Sequence, residues 1–209
     1  MSQLFHLDGP LFRFLSRAVD IVILNFLFLF FCIPIVTIGA SMTALYSILI
    51  KMVKGEEKNI VKSFITSFKK NFSQSTIVWF IMLAVGILFL TNIILLGNVS
   101  GVPKIFLISM LTIFGLVYLC ILLFIFPYLA RYEDTIKKSL LNSLLIGLSN
   151  FSYLLLLLIS TVVLVIIVFS STIGFLSGLY FGTFGGFALL AILYSYIFRR
   201  VFSKYELRT

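Results

Sequence analysis

The chain has 209 residues, of which 61% are hydrophobic and 11% are charged. Its mean hydropathy is +1.20. A soluble domain is about one quarter charged, so this composition excludes an ordinary water-soluble protein and indicates an integral membrane protein. Lys and Arg number 16, against 7 acidic residues. Because the cytoplasmic loops of membrane proteins collect Lys and Arg, we interpret this excess as a sign of topology and predict no nucleic-acid partner.

The first apolar stretch, residues 17–52, is too long for one membrane crossing and short for two. Pro34 interrupts the helical hydrogen-bond ladder at its centre. The stretch forms either a hairpin of two short helices, Arg17–Ile33 and Ile38–Met52, or one crossing followed by a re-entrant segment. In the hairpin arrangement every Lys and Arg except Lys104 lies on one side, which is what the positive-inside rule favours. We therefore predict the hairpin.

Four later apolar runs are each long enough to cross a bilayer, which takes roughly 20 residues. They are Thr76–Leu96, Ile105–Leu129, Tyr153–Ser171 and Phe175–Phe198. With the hairpin they give an all-α integral membrane protein of six crossings. The whole chain, 1–209, is then a single transmembrane domain with both termini in the cytoplasm. No cleavage site follows the first apolar run, so we expect that run to remain attached as an anchor.

Two polar, basic segments interrupt the apolar sequence, at about residues 56–75 and 133–150. Placing Glu57 on Glu133 aligns Ile60, Lys62, Ser63, Ser67 and Ser73 with Ile136, Lys138, Ser139, Ser143 and Ser149. The same alignment places Phe64, Phe68 and Phe72 on Leu140, Leu144 and Leu148. Residues four positions apart lie along one side of a helix, so each segment is predicted to be an amphipathic helix at the cytoplasmic membrane surface. Its basic residues, among them Lys69, Lys70, Lys137 and Lys138, would face anionic lipid headgroups.

Two interpretations of these surface helices stay open. They are either interfacial anchors that fix the tilt of the crossings, or docking sites for a cytoplasmic partner, with Phe64 and Phe68 as contacts. The alignment also raises the hypothesis of an internal repeat, in which each half contains a crossing, a surface helix and another crossing.

The last apolar run contains four glycines spaced four residues apart: Gly174, Gly178, Gly182 and Gly186. This spacing predicts a smooth stripe on one helix face, where another helix can approach closely. The stripe either packs within the chain, which we favour, or contacts a second copy or another membrane protein.

Polar side chains are rare inside the predicted crossings. Asp20 lies three residues after Arg17, which predicts an ion pair near the cytoplasmic end. Asn25 lies deeper in the same helix, where a hydrogen bond to another helix is the ordinary explanation. Ionisable groups of this kind mark ion pathways, but these two residues give little support for one.

The sequence lacks the motifs of the common enzyme classes. It contains one histidine, His6, and no Walker A, G-x-S-x-G or C-x-x-C motif. Cys32 and Cys120 each lie in an apolar run, where thiols usually pack as small hydrophobic groups. We therefore predict no catalytic residues, no metal site and no cofactor.

The N-terminal third resembles the YesL-like family of bacterial multispanning membrane proteins. The resemblance rests on a G-P-x-x-R-F tail, a P-I-V-T-I-G-A-S turn and a basic F-K-x-N-F helix that leads into Trp79. Pro34, Thr37, Gly39 and Ser41 match the family turn, where we expect a special backbone conformation. Members of the family are encoded beside carbohydrate uptake and breakdown systems, particularly ABC importers.

The resemblance implies an accessory or assembly subunit of a carbohydrate ABC importer in the bacterial cytoplasmic membrane. Its partners would then be the permease and ATPase subunits. The alternative is a passive facilitator that acts without a partner, with the turn at residues 34–41 narrowing a small pore.

Overall fold

The structure is a computed structural model that describes residues 10–55 and 59–206, and the side chains of 15–55 and 59–205. Residues 1–9, 56–58 and 207–209, which include His6 and Glu57, lie outside these ranges. Within them the regular elements are helical. Eight α-helices follow one another: α1 Pro10–Cys32, α2 Ile38–Lys54, α3 Ile60–Leu95, α4 Val102–Leu129, α5 Ile136–Ser149, α6 Phe151–Phe169, α7 Thr172–Phe181 and α8 Phe187–Glu206.

Six helical segments in the described ranges are long and apolar enough to cross a membrane. They are Leu15–Cys32, Ile35–Lys54, Ile60–Asn98, Val102–Leu129, Phe151–Phe169 and Thr172–Tyr205. The prediction of an all-α protein with six membrane-spanning helices is therefore confirmed. Residues 17–52 form two helices, α1 and α2, joined by a short 3₁₀ turn, Ile35–Thr37.

The distribution of side chains suits lipid rather than water as the solvent. Long stretches of α3, α4, α6 and α7 expose large apolar side chains. Hydroxyl groups are instead buried between helices, at Ser41, Thr43, Ser67, Ser75, Ser139, Ser143 and Ser195. In a bilayer, small and polar residues hold helices together while leucine and isoleucine face the hydrocarbon. The chain is thus a multi-pass membrane protein.

Helix α2 is the centre of the bundle. Nearly every residue from Gly39 to Ile50 is buried. It packs against α1, α3, α4 and α8, so the short helix that was hardest to assign from the sequence organises the rest.

Helix α3 differs from the sequence prediction. We expected a surface helix that ends near Ser75 and a separate crossing from Thr76, but one continuous helix runs from Ile60 to Leu95. Neither Gly nor Pro occurs between Ile60 and Val85, so nothing interrupts the backbone hydrogen-bond ladder where polar residues give way to apolar ones. Asn59 begins the helix, since its side chain accepts a hydrogen bond from the backbone N–H of Lys62 at 3.2 Å.

Candidate functional site

A polar cavity of about 530 Å³ lies between α2, α3 and the loop that joins α4 to α5. Helix α3 lines it with two parallel rows of side chains spaced four residues apart, because residues at this spacing share a helix face. One row is Lys62, Thr66 and Lys70, and the other is Ser63, Ser67 and Asn71. Opposite them lie Ser47 and Lys51 of α2, together with Leu129, Ala130, Arg131, Tyr132 and Glu133.

The α4–α5 loop is held against α3 by an ion pair and a hydrogen bond. Lys70 forms an ion pair with Glu133. Gln74 donates from Nε2 to the backbone carbonyl of Asp134 at 2.6 Å. The Asp134 carboxylate in turn accepts from the hydroxyl of Tyr128. These contacts hold Glu133 and Asp134 in position beside the two rows of α3 side chains.

Glu133 is the acidic residue of this lining. Its hydrogen bond and charge attraction to Lys70 lower the pKa of the carboxyl group below its ordinary value. Glu133 therefore remains ionised across the neutral range. The described lining combines this carboxylate with four cations, on Lys51, Lys62, Lys70 and Arg131, and is positively charged.

Aromatic rings of α8 and of the α4–α5 loop pack beside the cavity. The Arg131 guanidinium lies over the ring of Phe202, 5.6 Å from its centroid, which is a cation–π arrangement. Tyr132 packs edge-on against the same ring at 5.7 Å. Phe202 is fully buried, so Arg131 and Tyr132 rest on a rigid surface.

Thr37 organises the turn between α1 and α2. Its hydroxyl lies 2.5 Å from the carbonyl of Phe31, which the end of α1 leaves without a helical partner. It also lies 2.7 Å from the carbonyl of Pro34, which begins the 3₁₀ turn. Ser41 donates to the carbonyl of Thr37 at 2.9 Å. We expected a special backbone conformation at Pro34, Thr37, Gly39 and Ser41. None of them has a positive φ, and the departure from α-helix is the extended Pro34 with the 3₁₀ turn that follows it.

Gly39 lies at a close approach of α2 and α3. A Cβ atom added at this position would lie 2.5 Å from the backbone oxygen of Ser75 and 2.7 Å from Cβ of Trp79. Beside it, the hydroxyls of Thr43 and Ser75 are hydrogen-bonded at 2.8 Å and are completely buried. A side chain at residue 39 would separate this pair.

Asn25 joins α1 to a break in the last crossing. Its Nδ2 donates to the carbonyls of Gly182 at 2.9 Å and Thr183 at 3.0 Å. Its Oδ1 accepts from the backbone N–H of Ala188 at 3.1 Å. A π-helical turn, Gly182–Gly186, separates α7 from α8 at this point, and Gly185 has a φ of 143°.

The predicted glycine stripe does not extend along one straight helix, because the break at Gly185 falls inside it. Gly174 and Gly178 lie on α7, where Gly178 packs against Val168 of α6. Gly182 and Gly186 belong to the π-helical turn and are buried. Gly174 and Gly178 thus allow α7 to pack against α6, and Gly182 and Gly186 lie in the kink between α7 and α8. All of these contacts are within the chain.

Helix α5 buries a different face from the one that the leucine spacing indicates. Its buried residues are Ser139, Ser143, Ile146 and Gly147. Gly147 packs against Cys120 and Phe124 of α4. The outward face, which we call the α5 face, consists of Lys137, Lys138, Leu141, Leu145 and Leu148, all of them exposed. Ser139, Ser143, Ile146 and Gly147 therefore pack inward, and Leu141, Leu145 and Leu148 point outward without a partner in the described ranges.

The equivalent positions on α3 behave differently. Phe64 is completely buried and Phe68 is 8% exposed, and both pack against Phe31 of α1. Lys69 and Lys70 are exposed. Phe64 and Phe68 are thus core residues, and the two basic segments are not equivalent in three dimensions.

Asp20 is partly buried on α1. Within the described ranges, no ion pair joins it to Arg17, contrary to the expectation from their spacing. Arg17 lies instead beside Met52 and Val53 at the end of α2.

Tyr128, Arg131, Asp134 and Asn142 shape the cavity wall, although no motif in the sequence identified them as site residues. Asn142 donates from Nδ2 to the Tyr128 hydroxyl at 2.8 Å. The available signal was a run of polar and aromatic residues directly after a long crossing, at "YLARYEDT". No group of three or more His, Cys, Asp or Glu residues that could hold a metal ion occurs in the described ranges.

Fold and cavity together define a multi-pass helical membrane protein with a basic, polar cavity on one side of its central helix. Residues 21–93 match the family model described as "Protein of unknown function, DUF624". The matched region covers about half of α1, all of α2 and nearly all of α3, and so includes Asn25, Gly39 and the α3 rows of the cavity. No curated protein and no solved structure matches the chain.

Proposed function

We propose that this chain is an accessory or assembly subunit of a carbohydrate ABC importer in the bacterial cytoplasmic membrane. YesL-like proteins belong to the family whose model residues 21–93 match, and the resemblance implies this association. The permease and ATPase subunits are the proposed partners. The chain itself has no proposed catalytic role.

The observation that carries this proposal is the α5 face. Leu141, Leu145 and Leu148 are 58%, 50% and 51% exposed, and they follow two exposed lysines at the start of the helix. The helix is short and lies between two crossings, beside the basic cavity. An apolar stripe at this spacing can insert into a groove of a partner, and adjacent lysines can select an acidic rim.

The test is a pull-down of the tagged chain from native membranes in mild detergent, with the co-purifying proteins identified by mass spectrometry. We expect permease and ATPase subunits to accompany the wild type. They should be lost from a variant in which Leu141, Leu145 and Leu148 are replaced by Ser.

The matched control replaces three exposed apolar residues of α6, Leu156, Ile159 and Val163, by Ser. This variant should keep the partners, since its changed surface faces lipid alone in the proposal. If the wild type emerges without importer subunits, and its deletion leaves oligosaccharide uptake unchanged, the proposal fails. If both variants lose the partners equally, the α5 face is not the docking surface.

A passive facilitator is the second candidate, and the polar cavity is the observation that favours it. The cavity reaches Ser47, close to the middle of the central helix. A facilitator would pass a small solute when purified and reconstituted alone into liposomes. Liposomes that stay sealed to small sugars and ions would exclude it.

A further inference from the structure

We infer that the polar cavity between α2, α3 and the α4–α5 loop is a binding site for a phosphate group. The inference rests on the cavity and does not depend on the importer proposal. The phosphate belongs either to an anionic lipid headgroup or to a small soluble phosphate, since both present the same oxygens.

The cavity brings cations from separate parts of the chain to one place. Lys51 comes from the last turn of α2, Lys62 and Lys70 from α3, and Arg131 from the α4–α5 loop. Lysine and arginine donate charge-assisted hydrogen bonds to phosphate oxygens, and several together outweigh the cost of removing the phosphate from water. Elements so far apart in sequence converge here because the α4–α5 loop lies against the N-terminal half of α3.

Neutral donors complete the lining. Ser63 and Ser67 present hydroxyls beside the lysines. The Thr66 hydroxyl and the Asn71 amide donate to the carbonyls of Lys62 at 2.8 Å and Ser67 at 3.0 Å, so they would rotate to reach a ligand. A phosphate group has three or four oxygens that accept hydrogen bonds in a tetrahedral arrangement, so it uses both rows of α3 and the opposite wall at once. A planar carboxylate has two oxygens and would accept hydrogen bonds from fewer of these donors.

The size of the cavity limits the ligand. About 530 Å³ accommodates a headgroup or a small phosphorylated solute, and a nucleic-acid helix is far too wide to enter. Lys62, Lys70 and Glu133 of its lining are exposed, so a ligand can reach the cavity without unfolding of the bundle.

Glu133 makes the inference sharply testable. Its carboxylate is paired with the Lys70 ammonium group. In the proposal a phosphate oxygen takes the place of this carboxylate. Phosphate must compete with this carboxylate and also bears its repulsion. Removal of the Glu133 charge should therefore strengthen phosphate binding, a gain that damage to the fold does not produce.

The experiment uses the full-length chain, purified in neutral detergent at low ionic strength, with inorganic phosphate titrated by calorimetry. We expect Lys62→Gln to weaken binding about fivefold, because one charge-assisted contact is lost. Glu133→Gln should tighten it by about threefold. The control is Lys138→Gln, which removes the same charge at the aligned position of α5, outside the cavity, and should change affinity by less than about twofold.

A second arm separates the two sources of phosphate. The same variants are reconstituted in phosphatidylcholine nanodiscs with and without phosphatidylglycerol, and lipid retained through re-extraction is quantified. Binding of inorganic phosphate that depends on Lys62 and Glu133 supports a soluble ligand. Retention of phosphatidylglycerol with the same dependence, without binding of inorganic phosphate, supports a lipid headgroup. No binding in either arm, or equal losses for Lys62→Gln and Lys138→Gln, overturns the inference.

Discussion

The side-chain amide of Asn25 on α1 donates to the backbone carbonyl of Gly182 at 2.9 Å, although the two residues are 157 positions apart in sequence. The same amide also bonds Thr183 and Ala188. A break in a membrane helix frees carbonyls at the end of one segment and N–H groups at the start of the next, and lipid can satisfy neither. Asn25 satisfies both, so the kink between α7 and α8 depends on a residue of α1.

Replacement of Asn25 by Ala should therefore destabilise the fold by about 2–3 kcal/mol, because three hydrogen bonds are lost and buried backbone groups remain unpaired. The measurement is reversible unfolding of the purified protein in mixed micelles of neutral detergent and dodecyl sulfate.

The matched control for this variant is Asn92→Ala. Asn92 is exposed on α3 and donates only to Leu88 of its own helix in the described contacts. Its loss should change the free energy of unfolding by less than about 0.5 kcal/mol. Equal losses in the free energy of unfolding at the two positions would show that the hydrogen bonds of Asn25 across the kink do not stabilise the fold.

Gly39→Ala tests the close approach of α2 and α3. The added methyl group would meet the Ser75 carbonyl and the Trp79 Cβ, neither of which is the end of a flexible side chain. Because the helices must separate to admit it, we expect a loss of about 2–3 kcal/mol in the free energy of unfolding.

Gly97→Ala is the control, since a Cβ added at Gly97 meets no atom within 4 Å. Its effect on the same unfolding measurement should stay within about 0.5 kcal/mol. A Gly39→Ala variant as stable as this control would mean that the two helices are less closely packed than the structure shows.

The membrane architecture could be predicted from the sequence, because hydropathy and charge act over whole segments. The six crossings follow from apolar runs long enough to span a bilayer, and the hairpin at residues 17–52 follows from the placement of Lys and Arg. Both signals are averages over about 20 residues, so a single polar residue in a crossing or a single misplaced charge does not change the result.

Other features depend on single backbone angles or on contacts between distant residues. The change from polar to apolar residues near Ser75 resembled a helix boundary, but side-chain polarity does not break a backbone ladder that contains no Gly or Pro. The spacing of the glycines gave no sign that Gly185 adopts a φ of 143°. The cavity exists because Asp134 and Glu133 meet Gln74 and Lys70, and no local pattern encodes that meeting.

The pKa of Glu133 provides a test of the loop contact. Its hydrogen bond to Lys70 lowers this pKa from the ordinary value of 4.5. Because the folded-state pKa lies below the unfolded one, the ion pair contributes its full stability above the unfolded pKa. This contribution disappears as the pH falls through the folded-state value.

NMR titration of selectively labelled Glu in detergent measures this pKa directly. In the wild type the Glu133 carboxyl should titrate below 4.5, and in Lys70→Met it should return to about the ordinary value. Lys69→Met is the control, because Lys69 is exposed next to Lys70 and should leave the titration of Glu133 nearly unchanged. An unaltered pKa in Lys70→Met would contradict the ion pair.

Cysteine labelling tests the sidedness that the basic residues predict. Helix α4 has 28 residues and is about 42 Å long, so Lys104 near its start and Arg131 just after its end lie at opposite ends. In a background without Cys32 and Cys120, a membrane-impermeant maleimide should label Lys104→Cys in intact cells. Lys138→Cys should react only after the membrane is opened, since the positive-inside rule places the start of α5 in the cytoplasm.

Ile35→Cys extends this test to the turn between α1 and α2, where Ile35 is 65% exposed. If the α1–α2 hairpin crosses the bilayer fully, this cysteine should react from the outside, as Lys104→Cys does. Failure of Ile35→Cys to react from either side would place the turn within the hydrocarbon and make the hairpin re-entrant. Labelling of Lys104→Cys and Lys138→Cys from the same side would contradict the six-crossing topology, because a single span of α4 lies between them.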